Sequence, residues 1–150
     1  MQEQRSLGLD VGERRIGVAL SDPSGRLASA LTTLQARPQA EALTRIERLV
    51  AEHGVYEVVV GLPLTLRGEV GPQAEVVQRF AEALGERLTL PIHLFDERLT
   101  TSAAEQLLRD LGVKPEKRRQ QVDQVAAAII LQDFLDQRQR QGEDLWKHPH

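Results

Sequence analysis

Apolar residues alternate with small or polar ones in the first part of the chain. Residues 7–12 place Leu, Leu and Val on one face of an extended segment and Gly8, Asp10 and Gly12 on the other. Residues 16–21 repeat this alternation, which predicts the two strands of a hairpin. Because strands are depleted in Asp and Gly, we interpret Asp10 as part of an open surface that a phosphate or a cation could approach. A hairpin that carries a solvated Asp is the alternative.

Hydrophobic spacing and turn residues predict the elements of the middle of the chain. These are a third strand at 27–34, a helix from Pro38 to Gly54, a strand buried on both faces around 58–60, a helix that begins at Gly71-Pro72 and has Val76, Val77, Phe80, Ala83 and Leu84 on its apolar face, and a strand at 91–95 that runs into Asp96-Glu97. The first three strands form an antiparallel meander, and the crossover helices make the later strands parallel.

The last third of the sequence predicts helices. Ser102 and Glu105 form a capping box for a short helix that closes at Gly112, and a basic loop follows. The last helix is predicted from Gln120 to Gln139. Its core-facing residues are Val122, Val125, Ala126, Ile129 and Ile130. We expect one α/β domain over residues 1–142, a mixed sheet of three antiparallel and two parallel strands flanked by helices, and a flexible tail at 143–150.

Composition narrows the classes of function. The chain has 150 residues and no cysteine, which excludes disulfides and thiolate zinc sites. It shows no apolar run long enough for a membrane span and no leader peptide, so we expect a cytoplasmic protein without a membrane partner. The net charge of -3 and the aromatic content of 3% argue against bulk coating of nucleic acid and against a base-stacking platform. A local basic run at 109–119 is either a nucleic-acid contact or a solvated face.

Three acids stand out by their context, and each could serve as a metal ligand. Asp10 lies in the first strand, Glu97 lies just past the carboxyl end of the strand at 91–95, and Asp123 opens the last helix. Ligands in such sheets bind at the carboxyl ends of the parallel strands, where we expect these acids to converge. Mg²⁺ and Mn²⁺ prefer carboxylate oxygens, and two ions about 3.5–4 Å apart can act on one phosphate. Alternatively, Glu97 pairs with Arg98 or Arg14, and Asp123 is a helix cap.

Four motifs in order resemble the YqgF/RuvX family of Holliday-junction-resolvase-like proteins with a ribonuclease H-like fold. The matching segments are residues 7–22, Val60-Gly61-Leu62-Pro63-Leu64 with Gly68 and Gly71-Pro72-Gln73-Ala74, Asp96-Glu97-Arg98-Leu99-Thr100-Thr101, and Val122-Asp123 with the apolar run 126–131. The resemblance implies a five-stranded mixed sheet and metal-dependent phosphodiester hydrolysis with Asp10, Glu97 and Asp123 as the acidic triad. It also implies a role in maturing the 5′ end of pre-16S rRNA or in cutting four-way DNA junctions.

Other residues take supporting roles under this resemblance. Gly12 and Gly61 would let a phosphate approach the backbone. The residues expected to bind flanking phosphates of structured RNA or branched DNA are Arg14, Arg15, Arg98, Lys117, Arg118 and Arg119. A junction resolvase would be a homodimer, for which the outer side of the last helix at Leu131 and Leu135 is a candidate face, whereas trimming an RNA end needs only a monomer.

Two alternatives stay open from the sequence. Asp10-x-Gly12 also resembles the phosphate-binding start of sugar kinases and actin-like ATPases, although those proteins need a second domain. A ribosome-assembly factor that binds RNA without cutting it would keep the same fold and would not depend on Asp10 or on a metal ion.

Overall fold

Five strands form one mixed sheet in the order β3-β2-β1-β4-β5. The structure, a computed structural model, describes residues 5–97 and 106–147, without the side chains of 116, 119, 120 and 143–147. The strands are β1 at Arg5–Val11, β2 at Arg15–Ser21, β3 at Ala28–Gln35, β4 at Val55–Pro63 and β5 at Ile92–Glu97. β1, β2 and β3 pair antiparallel, whereas β4 pairs parallel with both β1 and β5. This topology confirms the predicted fold class.

Two long helices cover one face of the sheet. α1 spans Gln39–His53 and ends at Gly54, whose φ of 62° gives the left-handed conformation that glycine adopts without strain. α2 spans Pro72–Arg87 with its proline in the first turn, as the sequence predicted. Between these helices and the sheet lies the larger apolar core, which is built on Leu7, Leu9, Ile46, Val58 and Leu84.

The opposite face of the sheet is covered by the last helix. Residues 106–110 form the short helix α3, and α4 spans Pro115–Lys147. α4 packs Ala127, Ile130 and Leu131 against Ala19 and Val59 in a second, smaller core. Leu135 is also buried there, with an exposed fraction of 5%. The predicted dimer face at Leu131 and Leu135 is therefore wrong, because these side chains pack on the sheet.

α4 also differs from its predicted range Gln120–Gln139. It begins at Pro115, a residue that favours the first turn of a helix, so the predicted basic loop is helical. Basic residues in a first turn oppose the helix dipole, but they do not prevent the helix from starting here. Val122, Val125 and Ile129 are only half-buried, and the buried stripe is rotated from the predicted one. The end of the domain at residue 142 and the flexible tail at 143–150 stay predictions. The helical backbone of α4 runs past residue 142 to Lys147.

Two further expectations concern α2 and the segment after β5. Val76 is 46% exposed, unlike the other predicted apolar positions of α2, Val77 and Phe80 among them, because it lies beside a cavity described below. The predicted capping box at Ser102 and Glu105 lies outside the described residues. No helix in the described ranges 5–97 and 106–147 is long and apolar enough to cross a membrane.

Candidate active site

The first strand carries Asp10 on the face of the sheet that α4 covers. Its glycine neighbours allow this close packing. A Cβ built on Gly8 would lie 2.8 Å from the Cβ of Leu131, and one on Gly17, which pairs with Asp10 across the hairpin, would lie 1.8 Å from the carbonyl oxygen of Asp123. We had interpreted the glycines around Asp10 as an open surface. Instead, Gly8 and Gly17 let α4 approach the sheet, and this approach places Asp123 beside β1.

Glu97 reaches the same edge from β5. Leu9 of β1 pairs with Val60 of β4, which in turn pairs with Leu94 of β5, so these three residues lie side by side across the sheet. Asp10 follows Leu9 by one residue, and Glu97 follows Leu94 by three. Glu97 is the last residue of β5, which extends two residues beyond the predicted end at Phe95. The convergence that the sequence predicted for these acids is therefore present.

The sheet position between Asp10 and Glu97 is a glycine for a reason other than the predicted one. A Cβ on Gly61 would lie 2.6 Å from the Cδ1 of Ile130 and 3.1 Å from the Cγ of Glu97. Protein atoms from α4 and β5 already fill the space above Gly61, so that space is not free for a phosphate. At Gly12 a Cβ would lie 2.8 Å from the backbone oxygen of Arg15, which is a constraint of the tight turn.

Burial and neighbouring charge act together on Asp10. Desolvation, followed by the negative charges of Glu97 and Asp123, raises the pKa of Asp10 from 3.8 to about 7. The carboxylates of Glu97 and Asp123 are thus close enough to Asp10 to oppose its ionisation. A carboxyl group whose pKa is raised by burial together with neighbouring acids is typical of catalytic and metal-binding sites.

Asp123 is held by a cation from the hairpin. The Nε of Arg15 donates to its Oδ2 at 2.7 Å, although these residues are 108 positions apart. The sequence predicted Arg15 as a phosphate contact and gave no local signal for this ion pair. Arg15 therefore offsets part of the negative charge at the site, and it occupies one of the oxygens that a metal ion would need.

The donor set fits a divalent cation. The Oε2 atom of Glu97 is buried and has no hydrogen-bond partner within residues 5–97 and 106–147, so it is an oxygen acceptor without a donor. In the same ranges, no three acidic or histidine side chains lie close enough to form a ready-made metal site. The structure therefore shows an acceptor oxygen on Glu97 that could bind a cation, but it does not bring three ligands together, and Arg15 already contacts Asp123.

The predicted nucleic-acid contacts are only partly near the acids. Arg14 is exposed on the hairpin turn, and Lys117 is exposed in the first turns of α4, about 9 Å along the helix axis from Asp123. Arg118 is half-buried and donates to the carbonyl oxygen of Val113 at 2.9 Å, which restricts its reach. Arg98 and the side chain of Arg119 lie outside the described residues.

A second polar cluster, which the sequence did not reveal, lies at the other end of the sheet. Glu57 on β4 is buried and accepts hydrogen bonds from Ser6 and from Arg138 of α4, the latter at 2.7 Å. His93 approaches the same carboxylate at 3.1 Å. The guanidinium carbon of Arg138 also lies 4.6 Å from the centre of the Phe134 ring. This cluster attaches the C-terminal part of α4 to the sheet.

Comparison with known protein families identifies the family of this chain. The family model described as RuvX, Holliday junction resolvase, matches residues 4–137. The chain belongs to the RuvX family. Membership in this nuclease and resolvase family supports a hydrolase that acts on phosphodiester bonds.

Relatives of this RuvX chain align with it over almost its whole length. A Chloroflexus aggregans protein named "Putative pre-16S rRNA nuclease" is 64% identical over 138 residues, which cover 92% of this chain and 97% of the relative. A protein of the same name from Moorella thermoacetica is 50% identical over 138 residues, covering 92% and 99%. The predicted family is therefore confirmed.

Solved structures show the fold at much lower identity. Thermus thermophilus RuvC in complex with a Holliday junction substrate is similar with a TM-score of 0.55 and 14% identity, and the match covers 91% of this chain and 96% of RuvC. Fowlpox virus resolvase with junction DNA matches with a TM-score of 0.50 and 7% identity over 89% and 98%. These neighbours are resolvases of the ribonuclease H type, which confirms the predicted sheet architecture.

Proposed function

We propose that this protein is a metal-dependent endonuclease that hydrolyses phosphodiester bonds in the 5′-end maturation of pre-16S rRNA. The observation that carries the proposal is the convergence of Asp10, Glu97 and Asp123, expressed in the pKa of about 7 at Asp10. The names of the relatives support the RNA substrate. A precursor of ribosomal RNA as substrate would place the protein in the cytoplasm.

Each acid has a defined part in this proposal. Asp10, Glu97 and Asp123 would hold Mg²⁺ or Mn²⁺, two ions per site. When bound, these ions would supply a more acidic attacking water and stabilise negative charge on the phosphate. Asp10 must lose its proton to serve as a ligand, and Arg15 must release Asp123. The guanidinium of Arg15, once released, would be available to bind a non-bridging oxygen of the phosphate.

The basic residues would bind the flanking strand. Arg14 on the hairpin turn and Lys117 on α4 are both exposed and would contact phosphates that flank the cut. Such contacts carry no base information, so we expect binding that weakens steeply with salt and that shows little sequence preference.

Junction cleavage is the second candidate, since the RuvC and fowlpox neighbours were solved with junction DNA. Two symmetric cuts would require a dimer. The face that the sequence offered for a dimer, Leu131 and Leu135 of α4, packs against the sheet, so a dimer would have to use another surface. A non-catalytic assembly factor is the third candidate, and it would bind RNA without using the acids.

One experiment separates these candidates. Wild type, Asp10→Asn and the exposed control Glu52→Gln are incubated with Mn²⁺ and two labelled substrates, an RNA that spans the pre-16S 5′ end and a four-way DNA junction. We expect wild type and Glu52→Gln to cut the RNA and Asp10→Asn to give no detectable product. Cutting of the junction alone would establish the resolvase. Equal binding by all three proteins without any cutting would establish the assembly factor.

A further inference from the structure

A cavity of about 600 Å³ lies on the face of the sheet opposite to α4, at the same edge as the acids. Its lining includes Val11 and Gly12, which directly follow Asp10 in the chain. Since successive strand residues point to opposite faces, Asp10 and this cavity lie on the two sides of one sheet edge, within about 7 Å along β1. A strand of nucleic acid bound at Asp10 can therefore continue around the hairpin turn into the cavity.

The cavity has an apolar floor and positively charged side chains around it. Ile16 and Phe80, which are 0% and 5% exposed, form the floor, and Val76 beside them keeps 46% of its surface exposed. Exposed guanidinium groups come from Arg37 before α1 and from Arg79 on α2. Apolar surface beside unpaired cations suits a ligand that is flat and apolar in one part and anionic in another.

The two arginines are available to such a ligand. Within residues 5–97 and 106–147, neither Arg37 nor Arg79 has an ion-pair or hydrogen-bond partner for its guanidinium group. In contrast, Arg15 and Arg138 of the same chain are both paired with carboxylates. The lining contains one acid, Glu13, so its formal charge is positive.

We propose that this cavity, the nucleotide pocket, binds one unpaired nucleotide of the substrate strand within about two nucleotides of the cleaved bond. The base lies on Val76 and Phe80, and Arg37 and Arg79 bind the adjoining phosphates. A base inside a duplex is stacked and cannot enter, so the pocket selects substrates with a single-stranded or displaced nucleotide beside the cut. This inference rests on the proposed nuclease function for the position of the strand.

The test measures binding without metal, so that it does not depend on cleavage. Single abasic sites are moved along the RNA that spans the pre-16S 5′ end, and affinity is measured by fluorescence anisotropy in EDTA. With wild type, we expect one position near the cleavage site to weaken binding roughly tenfold, the size of a lost base contact. With Arg37→Ala/Arg79→Ala, and separately with Val76→Asp, the intact RNA binds more weakly and the abasic site has no further effect.

A matched control removes the same charge elsewhere. Arg45 and Arg48 are exposed arginines of α1 that lie outside the nucleotide pocket. Arg45→Ala/Arg48→Ala keeps the tenfold penalty of the abasic site. An equal penalty in the pocket variants and in wild type, or no sensitive position at all, overturns the inference. The inference is also overturned if a free nucleoside monophosphate binds in the nucleotide pocket and the affinity for RNA stays the same.

The two proposals fail in different ways. If Asp10→Asn cuts RNA as well as wild type, the nuclease assignment to the acids fails, whereas the abasic scan in EDTA still reports on the pocket. If the scan shows no sensitive position while Asp10→Asn loses cleavage, the pocket inference fails and the nuclease function stands.

Discussion

Asp10, which is half-buried, and Glu57, which is buried, are carboxylates at opposite ends of the interface between the sheet and α4, and their surroundings differ. Around Asp10, burial and the charges of Glu97 and Asp123 all raise the pKa, to about 7. Around Glu57, burial also acts to raise the pKa, but hydrogen bonds from Arg138 and Ser6 and the charge of Arg138 outweigh it, so the pKa is lowered.

The difference shows how one helix serves two purposes. The end of α4 that carries Arg138 supplies a cation and hydrogen bonds, so the carboxylate opposite it is ionised and fixed. The end that carries Asp123 supplies a third negative charge, and Arg15 offsets it only in part. Uncompensated charge costs folding free energy, and a divalent cation would remove that cost. The charge of Glu57 is therefore compensated within the protein, whereas that of the acids around Asp10 is compensated only in part, as the proposed metal binding requires.

The largest expected loss of stability and activity comes from separating α4 from the hairpin. In Gly17→Ala the new Cβ would meet the backbone oxygen of Asp123, which cannot rotate away as a side chain would. We expect a loss of about 3 kcal/mol or more in the free energy of unfolding, measured by urea titration, and loss of nuclease activity. Gly142→Ala is the control, because nothing lies within 4 Å of its Cβ. It should stabilise α4 by roughly 0.5–1 kcal/mol, and equal losses in both variants would contradict this account.

Breaking the Glu57 cluster should cost less stability and should have no specific effect on metal binding. Arg138→Ala leaves the buried carboxylate of Glu57 without its arginine, but Arg138 is 42% exposed and solvent screens the pair, so we expect a loss of roughly 1–2 kcal/mol in urea titration. Arg140→Ala, an exposed change two residues along α4, should stay within about 0.5 kcal/mol of wild type. Wild-type Mn²⁺ affinity in folded Arg138→Ala would show that the two ends are independent; a large change in affinity would show that they are coupled.

Asp10→Asn should stabilise the metal-free protein in a pH-dependent way. Between pH 4 and 7 Asp10 keeps its proton in the folded state and has lost it in the unfolded state. The free energy of unfolding of wild type therefore falls as pH rises through this range, and the loss is complete above pH 7. We expect the variant to match wild type near pH 4 and to gain up to about 4 kcal/mol at pH 8 in EDTA. A gap that does not change with pH would show that Asp10 titrates normally.

The smallest effect concerns the ion pair at the Asp10 end. Arg15→Gln removes the guanidinium that competes for Asp123, so Mn²⁺ affinity measured by calorimetry should rise about two- to fivefold, the range expected for a half-exposed pair. Arg14→Gln changes the neighbouring exposed arginine and should leave the affinity unchanged. Weaker Mn²⁺ binding in Arg15→Gln would instead mean that Arg15 orients Asp123 for the ion.

Local sequence signals predicted most of the fold. Alternation gave β1 and β2, Pro72 gave the start of α2, and Gly54 gave the end of α1, because each depends only on neighbouring residues. The edge position of Asp10 and Glu97 followed from the rule that parallel strands share a carboxyl edge. These predictions needed no knowledge of tertiary contacts.

Contacts between residues far apart in the chain could not be predicted from the sequence. Nothing near Arg15 indicates Asp123, and nothing near Glu57 indicates Arg138, since each pair is formed when α4 docks. The burial of Leu131 and Leu135 was missed for the same reason: a long helix offers several apolar stripes, and only the shape of the sheet decides which one is covered. The exposed Val76 was a comparable error, because its cavity is formed by three separate segments.

The order of the elements along the chain also sets when the enzyme can first act. Asp10 and Glu97 belong to the strands, but Asp123 lies on the helix that follows every strand. Proteins are synthesised from the amino terminus, and domains generally fold as units during synthesis. A nascent chain that has completed its sheet therefore still lacks its third carboxylate and the cover over Gly8 and Gly17. If the acids act as proposed, this order of elements would delay nuclease activity until α4 has left the ribosome.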